Sequence, residues 1–187
     1  MVFPEIQDLK TPRLVLRKLT AQDIPLFYAR LGSSETVTRY MLWQPHRDLS
    51  ESAASVEKAI RRYAQGGFYR WAIALPEGND IIGIIDLLRF EEESNSCSFA
   101  YMLGEDFWGR GYGTEALTAV LDFAFGQMRL DAVHADHFSV NAASGAVMQK
   151  AGMTHCATQP GKYEKNGISY DAEEYRITRE EWFSHKS

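Results

Sequence analysis

The sequence predicts a single-domain α/β fold, one mixed sheet with helices on both faces, and three features lead there. The chain has 187 residues, enough for one substantial core at roughly 150 residues per domain. Strand-like segments run first as an antiparallel meander, then as a strand-helix-strand unit, then as a helix and a hairpin. Covering both faces of one sheet buries all of these patterns. No internal repeat and no low-complexity linker divides the chain.

Within residues 13–17, Leu14 and Leu16 alternate with Val15, as in a short strand covered on both sides. Thr20 and Asp23 mark a helix start, continued by Leu26, Phe27 and Leu31 toward Gly32. Residues 33–40 read as another short helix, followed by an irregular stretch with Trp43, Pro45 and His46. Ser50 or Ser52 opens the next helix, whose apolar stripe is Val56, Ala59, Ile60 and Tyr63 and whose stop is Gly66 and Gly67. Residues 69–75 and 81–89 form a hairpin, and an exposed acidic turn leads into a strand over about 97–103. After a glycine-rich loop, a helix over about 114–128 packs through Leu117, Val120, Leu121, Ala124 and Phe125. A strand at 132–138, a helix at 142–151, strands at 153–158 and 170–178 and a short helix at 179–183 complete the chain.

Twenty Lys and Arg against twenty-five Asp and Glu leave a net charge of -5. That balance opposes a broad nucleic-acid surface, whose affinity comes from neutralised phosphates, yet it permits a small basic pocket. No apolar run approaches the ~18 residues of a membrane helix, and the first residues lack the pattern of a secretory signal. Cys97 and Cys156 are too few for a disulfide scaffold. Their strand contexts predict buried or half-buried free thiols and a reducing, cytoplasmic setting.

The strongest chemical signal is Gly109-Arg110-Gly111-Tyr112-Gly113-Thr114, placed between a strand and a long helix. Glycines let backbone approach a ligand, and the unpaired amides at a helix start suit a phosphate or pyrophosphate. Arg110 and Thr114 add charge and a donor. A dinucleotide fingerprint fits poorly. Counted from Gly109 its third glycine position is Thr114, and the loop begins several residues after the strand. No Gly-Lys-Ser/Thr follows, which excludes a P-loop. His134, Asp136 and His137 form the densest titratable cluster. Strand alternation sets the first two on one face and His137 on the other, an arrangement that disfavours a metal and leaves His137 and Asp136 open to proton transfer or to structural hydrogen bonding, the plainer reading for each. Asn141 suits a helix N-cap.

Tyr101-Met102-Leu103, the run from Phe107 to Leu117, the run from Asn141 to Gly145 and the run from Val147 to Met153 occur in an order that resembles the GNAT N-acetyltransferases. Within that family the resemblance is to the ribosomal-protein N-acetyltransferase-like (RimJ/RimL-like) branch. It spans residues 11–183, leaving 1–10 as an N-terminal extension and 184–187 as a C-terminal tail. The resemblance implies a seven-strand mixed sheet that splays between its fourth and fifth strands, where the pantetheine arm of acetyl-CoA pairs with exposed backbone. It assigns Leu103, Trp108, Gly109, Arg110, Gly111, Tyr112, Gly113, Thr114, Asn141 and Ser144 to the cofactor. Trp108 stands where the general family carries Gln or Arg.

Ser144 is implied at the coenzyme A sulfur or leaving thiolate, since Met148 replaces the family's usual tyrosine acid. Ser98 stands where relatives carry a catalytic Glu, which leaves His137, Asp136 or water to receive the proton. Trp43, Tyr101 and Tyr163 are expected in the acceptor pocket, and Tyr40 and Phe90 are further aromatics for which core packing is an equal reading. The implied reaction is direct attack of a primary amine, on a protein N-terminus or a small molecule, within a ternary complex. No metal or membrane partner is expected, and the branch permits a homodimer. The alternative reading is a non-catalytic acyl-CoA-binding or regulatory module.

Overall fold

A computed structural model describes residues 1–184, so the predicted tail beyond Ser184 lies outside the described residues. Among the described residues eight strands form one sheet: β1 (Leu9–Lys10), β2 (Val15–Arg17), β3 (Tyr69–Ala74), β4 (Ile81–Glu91), β5 (Ser96–Leu103), β6 (Ala132–Phe138), β7 (Thr154–Lys165) and β8 (Ile168–Thr178). Their order is β1-β2-β3-β4-β5-β6-β8-β7, and only β5 and β6 are parallel neighbours. The sheet therefore has one strand more than the expected seven. The added strand is β1, from the segment set apart as an extension. Side chains of β3 hold that segment down: Trp71 Nε1 donates to the Gln7 carbonyl at 2.9 Å, and the Tyr69 hydroxyl donates to the Pro4 carbonyl.

The last two strands are longer than the sequence predicts. Pro160 and Gly161 read locally as a break, but they sit where the β7–β8 register shifts between Gln159 and Tyr163, and pairing resumes beyond the bulge. The helix expected over 20–32 is three pieces: a 3-10 turn (Ala21–Asp23), α1 (Ile24–Phe27) and a π turn (Tyr28–Gly32). The wider turn accompanies a close approach, since a Cβ on Gly32 would lie 2.6 Å from Ser52 Oγ and 2.7 Å from His46 Nδ1. α2 (Glu35–Thr38) follows. α3 (Leu49–Tyr63) begins before the predicted serines because Asp48 caps it, accepting the Ser50 and Glu51 amides. A carboxylate opposes the positive helix end more strongly than a hydroxyl does. Ser52 is fully buried instead.

α4 (Tyr112–Gly126), α5 (Ala142–Lys150) and α6 (Arg179–Ser184) cover one face of the sheet. There Leu117, Val120 and Leu121 pack with Trp71, Phe99, Val133 and Ile177. On the other face Phe27, Leu31, Val56 and Ala59 meet Ala72, Ile84 and Met102. Burying each large apolar side chain stabilises the fold by about 1.5–3 kcal/mol. Cys97 is buried, which pushes its thiol up to about 12. Cys156 is exposed, contrary to expectation, because β7 is the outer strand and both of its faces are largely open. No helix among the described residues is long and apolar enough to cross a membrane.

Two ion pairs brace the face that carries α1–α3. Arg70 and Asp86 are direct cross-strand partners and meet at 2.7 and 2.6 Å. Arg17 grips both Asp23 oxygens at 2.8 Å, and Asp23 also accepts the Thr20 amide at 2.8 Å. Burial works to raise the Asp23 carboxyl, but the Arg17 and Thr20 hydrogen bonds outweigh it and hold the group below its ordinary 3.8. Asp23→Asn should therefore cost ~3 kcal/mol near neutral pH, read by urea unfolding. A depressed carboxyl stabilises the fold above its ordinary value and loses that contribution as pH falls through the folded value. The gap between wild type and variant should therefore close below ~pH 4.

Candidate active site

β5 and β6 pair only at their starts, through Ser96↔Ala132, Cys97↔Val133 and Ser98↔His134. Beyond Ser98 they part, while β5 keeps β4 and β6 keeps β8 on their outer edges. This is the splay expected between the fourth and fifth strands, here β5 and β6 because β1 shifts the count. The parted strands line a cavity of about 850 Å³. A buried backbone group without a partner costs about 1–3 kcal/mol, so such an opening suits a ligand that carries its own amides.

Two helices and one aromatic ring meet at the opening. A Cβ on Gly113 would lie 3.3 Å from the Tyr101 ring and 3.4 Å from Val147, so the missing side chain lets α4, α5 and Tyr101 converge. Gly111 caps α4 at φ +81°, a left-handed conformation that glycine adopts without strain. The helix thus starts at Tyr112, two residues before the predicted Thr114, and its free amides open toward the cavity rim.

A contact from the far end of the sequence secures this loop. Arg13 donates to the Arg110 carbonyl at 2.9 Å and to Glu115 at 2.6 Å, and lies 4.8 Å over the Tyr112 ring. The Thr11 hydroxyl and the Arg13 amide also donate to Glu115, at 2.6 and 2.9 Å. Burial works to raise the Glu115 carboxyl, but these bonds prevail and hold it below the usual carboxylate range. Sequence reading missed Thr11, Arg13 and Glu115, because contacts across about a hundred residues carry no local signal. Trp108 spends its indole N–H on the Leu103 carbonyl at 2.8 Å, tying the loop to the strand end.

Asn141 precedes α5 without a side-chain cap bond, so the expected cap is not formed, and the residue lines the cavity instead. Ser144 lies against the Tyr101 phenol; burial raises that phenol's pKa and the Ser144 hydroxyl partly opposes the rise. His137 stacks on Tyr175 with ring centroids 5.5 Å apart. Its Nδ1 lies 2.7 Å from the Phe138 carbonyl, which can only accept, so Nδ1 carries the proton. Its buried Nε2 has no hydrogen-bond partner among the described residues. Gly145 makes room for it, since a Cβ there would sit 2.7 Å from Nε2.

Asp136 faces the opposite side, as strand alternation predicts. It accepts from Lys162 at 2.7 Å and from the Tyr163 hydroxyl, with Arg89 at 3.8 Å. Burial works to raise its carboxyl, but the Lys162 and Tyr163 hydrogen bonds and the two cations bring it below the ordinary value. Tyr163 stacks on Phe138 at 4.5 Å, and Tyr40 lies 5.9 Å from the same ring. Lys165, at the β7–β8 tip, donates to the carbonyls of Thr38, Met41 and Trp43 at 2.7, 2.6 and 3.3 Å. That ammonium fixes the irregular stretch carrying Tyr40 and Trp43 over the cavity.

The predicted site residues therefore converge, with few exceptions. Leu103, Trp108, Gly109, Gly111, Tyr112, Gly113, Thr114, Asn141 and Ser144 line one cavity with Trp43, Tyr101, Asp136, His137 and Tyr163. Arg110 is not among its lining residues, and its carbonyl is taken by Arg13. Phe90 is absent too, because it packs on Phe3 and Tyr69 away from the site.

Residues 13–154 match the acetyltransferase (GNAT) domain family. The chain is 25% identical over 171 residues to the uncharacterized N-acetyltransferase YoaA of Bacillus subtilis, covering 91% of this chain and 96% of that one. It is 26% identical over 185 residues to the [ribosomal protein uS5]-alanine N-acetyltransferase of Escherichia coli, covering 95% and 87%. The structure of spermidine N-acetyltransferase from Vibrio cholerae, in complex with CoA and spermine, superposes with a TM-score of 0.79 at 17% identity, covering 92% and 99%. The strand opening, the amides at the start of α4 and the cradle at Gly113 fit acetyl-CoA. The chain belongs to the GNAT acetyltransferase family and is an acetyl-CoA-dependent N-acetyltransferase.

Proposed function

We propose that this protein acetylates a primary amine, on a protein N-terminus or a small molecule, by direct attack in a ternary complex. One observation carries the reading: a single cavity joins the start of α4, the β5–β6 opening and an aromatic end built from Tyr40, Trp43 and Tyr163. The amides from Gly111 to Thr114 would hold the pyrophosphate of acetyl-CoA, and the free edges of β5 and β6 its pantetheine arm. When bound, the cofactor supplies an activated acetyl thioester. A backbone N–H at the opening stabilises negative charge on the attacked oxygen. Ser144, backed by the Tyr101 phenol, donates toward the leaving sulfur. The unpartnered His137 Nε2 takes the amine proton through water. Asp136, already ionised and paired, orients Lys162 and Tyr163. The free Cys97 and Cys156 are in keeping with a reducing, cytoplasmic setting.

The deciding experiment incubates protein and acetyl-CoA with a panel of amines, including an alanine-terminated peptide, and detects amides by mass. Product supports the reading; saturable acetyl-CoA binding without product across the panel favours a non-catalytic module. Ser144→Ala should lower kcat on the order of 100-fold while leaving the acetyl-CoA KM near wild type. Arg13→Gln should raise the acetyl-CoA KM about 10-fold with little change in kcat, because it frees the loop without touching the reacting atoms. Lys165→Met should do the reverse for substrates, raising the acceptor KM and sparing that of acetyl-CoA, as steady-state kinetics with each substrate varied would show.

A further inference from the structure

The aromatic end of the cavity has a lopsided charge inventory. Among the described residues that line the cavity, Asp136 is the only carboxylate. Its oxygens are committed to Lys162 at 2.7 Å and to the Tyr163 hydroxyl. The cations there are free by comparison. Arg39 follows α2, is exposed, and makes no hydrogen bond or ion pair among the described residues. Arg89 is exposed as well and reaches only Asp136, at 3.8 Å.

Arg89 is also held in an unusual backbone conformation. The β4–β5 register shifts between Leu88 and Glu91, and Arg89 within that irregularity has φ +53°. A positive φ is uncommon for a residue with a long side chain, and a bulge re-aims the side chain it carries. Strain of this kind concentrates where a side chain is needed in a particular place. Here it accompanies an arginine that lines the acceptor end beside Tyr163.

We propose that the acceptor carries an anionic oxygen group, a carboxylate or a phosphate, close to its amine, and that Arg39 and Arg89 hold that group. The inference rests on the acetyl-transfer reading and narrows its acceptor. Guanidinium groups match the oxygens of both anions with paired, charge-assisted hydrogen bonds. A polyamine would meet two arginines and no uncommitted carboxylate. The same positive surroundings disfavour the ammonium form of the acceptor and so favour the neutral amine that attacks.

The test compares matched amines at saturating acetyl-CoA: phenylalanine with phenethylamine, O-phosphoethanolamine with ethanolamine, and spermidine as the polycation. In at least one pair the anionic member should show kcat/KM higher by about 10-fold or more, and the pair that does so distinguishes carboxylate from phosphate. Arg39→Gln and Arg89→Gln should collapse that ratio toward unity, with the unfolding midpoint of each variant confirming a folded protein. Calorimetric titration of N-acetylphenylalanine, N-acetylphenethylamine, N-acetyl-O-phosphoethanolamine and N-acetylethanolamine into the CoA-saturated protein gives the same comparison without turnover. Equal kcat/KM within both pairs, preference for spermidine, an unchanged ratio in both variants, or no tighter binding of either anionic product overturns the proposal. Acetylation that persists without anion preference leaves the acetyl-transfer reading standing, whereas failure to bind CoA at all overturns that reading as well.

Discussion

The parting of β5 from β6 after Ser98↔His134 is the constraint around which the rest of the molecule is arranged. A parallel pair that separates leaves two rows of backbone groups without partners, a costly state unless something keeps the strands apart and something else satisfies them. The first requirement is met by close contacts at residues without side chains. Gly113 brings α4 onto Tyr101 and Val147, and Gly145 brings α5 onto His137 and Tyr175. β4 and β8 secure the outer edges, so the opening is flanked by full ladders and does not spread into the sheet. The second requirement suits a cofactor that carries amides of its own.

The two ends of the opening are polarised differently, and the chain's net charge of -5 reveals neither. At one end the free amides of α4 supply positive potential, and Arg13 and Glu115 fix the loop that presents them. Glu115 is acidic yet helps here, because it sits in the first turn of the helix and anchors the arginine that grips Arg110. At the other end Asp136 is neutralised by Lys162 and bonded by Tyr163, which leaves Arg39 and Arg89 as the less committed charges lining the cavity there. Lys165 serves a mechanical role beside them. It closes three carbonyls of the stretch after α2 with one ammonium, although burial lowers that ammonium's pKa.

Features written in neighbouring residues were legible in advance. Alternation in 132–138 placed Asp136 and His137 on opposite faces, as they stand. The glycines from Gly109 to Gly113 announced a loop feeding a helix, and the order of motifs from Tyr101 to Met153 carried the family resemblance. What misled was local punctuation whose meaning depends on distant partners. Pro160 and Gly161 look like the end of a strand, yet a bulge against β8 carries the pairing past them. Ser50 looks like a cap, yet Asp48 holds the helix end with a full charge. Cys156 looks like a core thiol until the strand bearing it proves to be the sheet's outer edge.

By itself the sequence determined the order of the strands from β2 onward, the alternation of faces and the family, because each is carried by residues close together in the chain. Periodicity and motif spacing are local properties, and no partner is needed to read them. Only the tertiary structure decided where β5 and β6 part, that Arg13 reaches Glu115, that Lys165 fastens the Trp43 stretch, and that Asp136 is already spent. Each of these depends on contacts between groups tens to more than a hundred residues apart in the chain. Which charge remains free to meet a substrate is therefore a property of the folded surface and of no single segment.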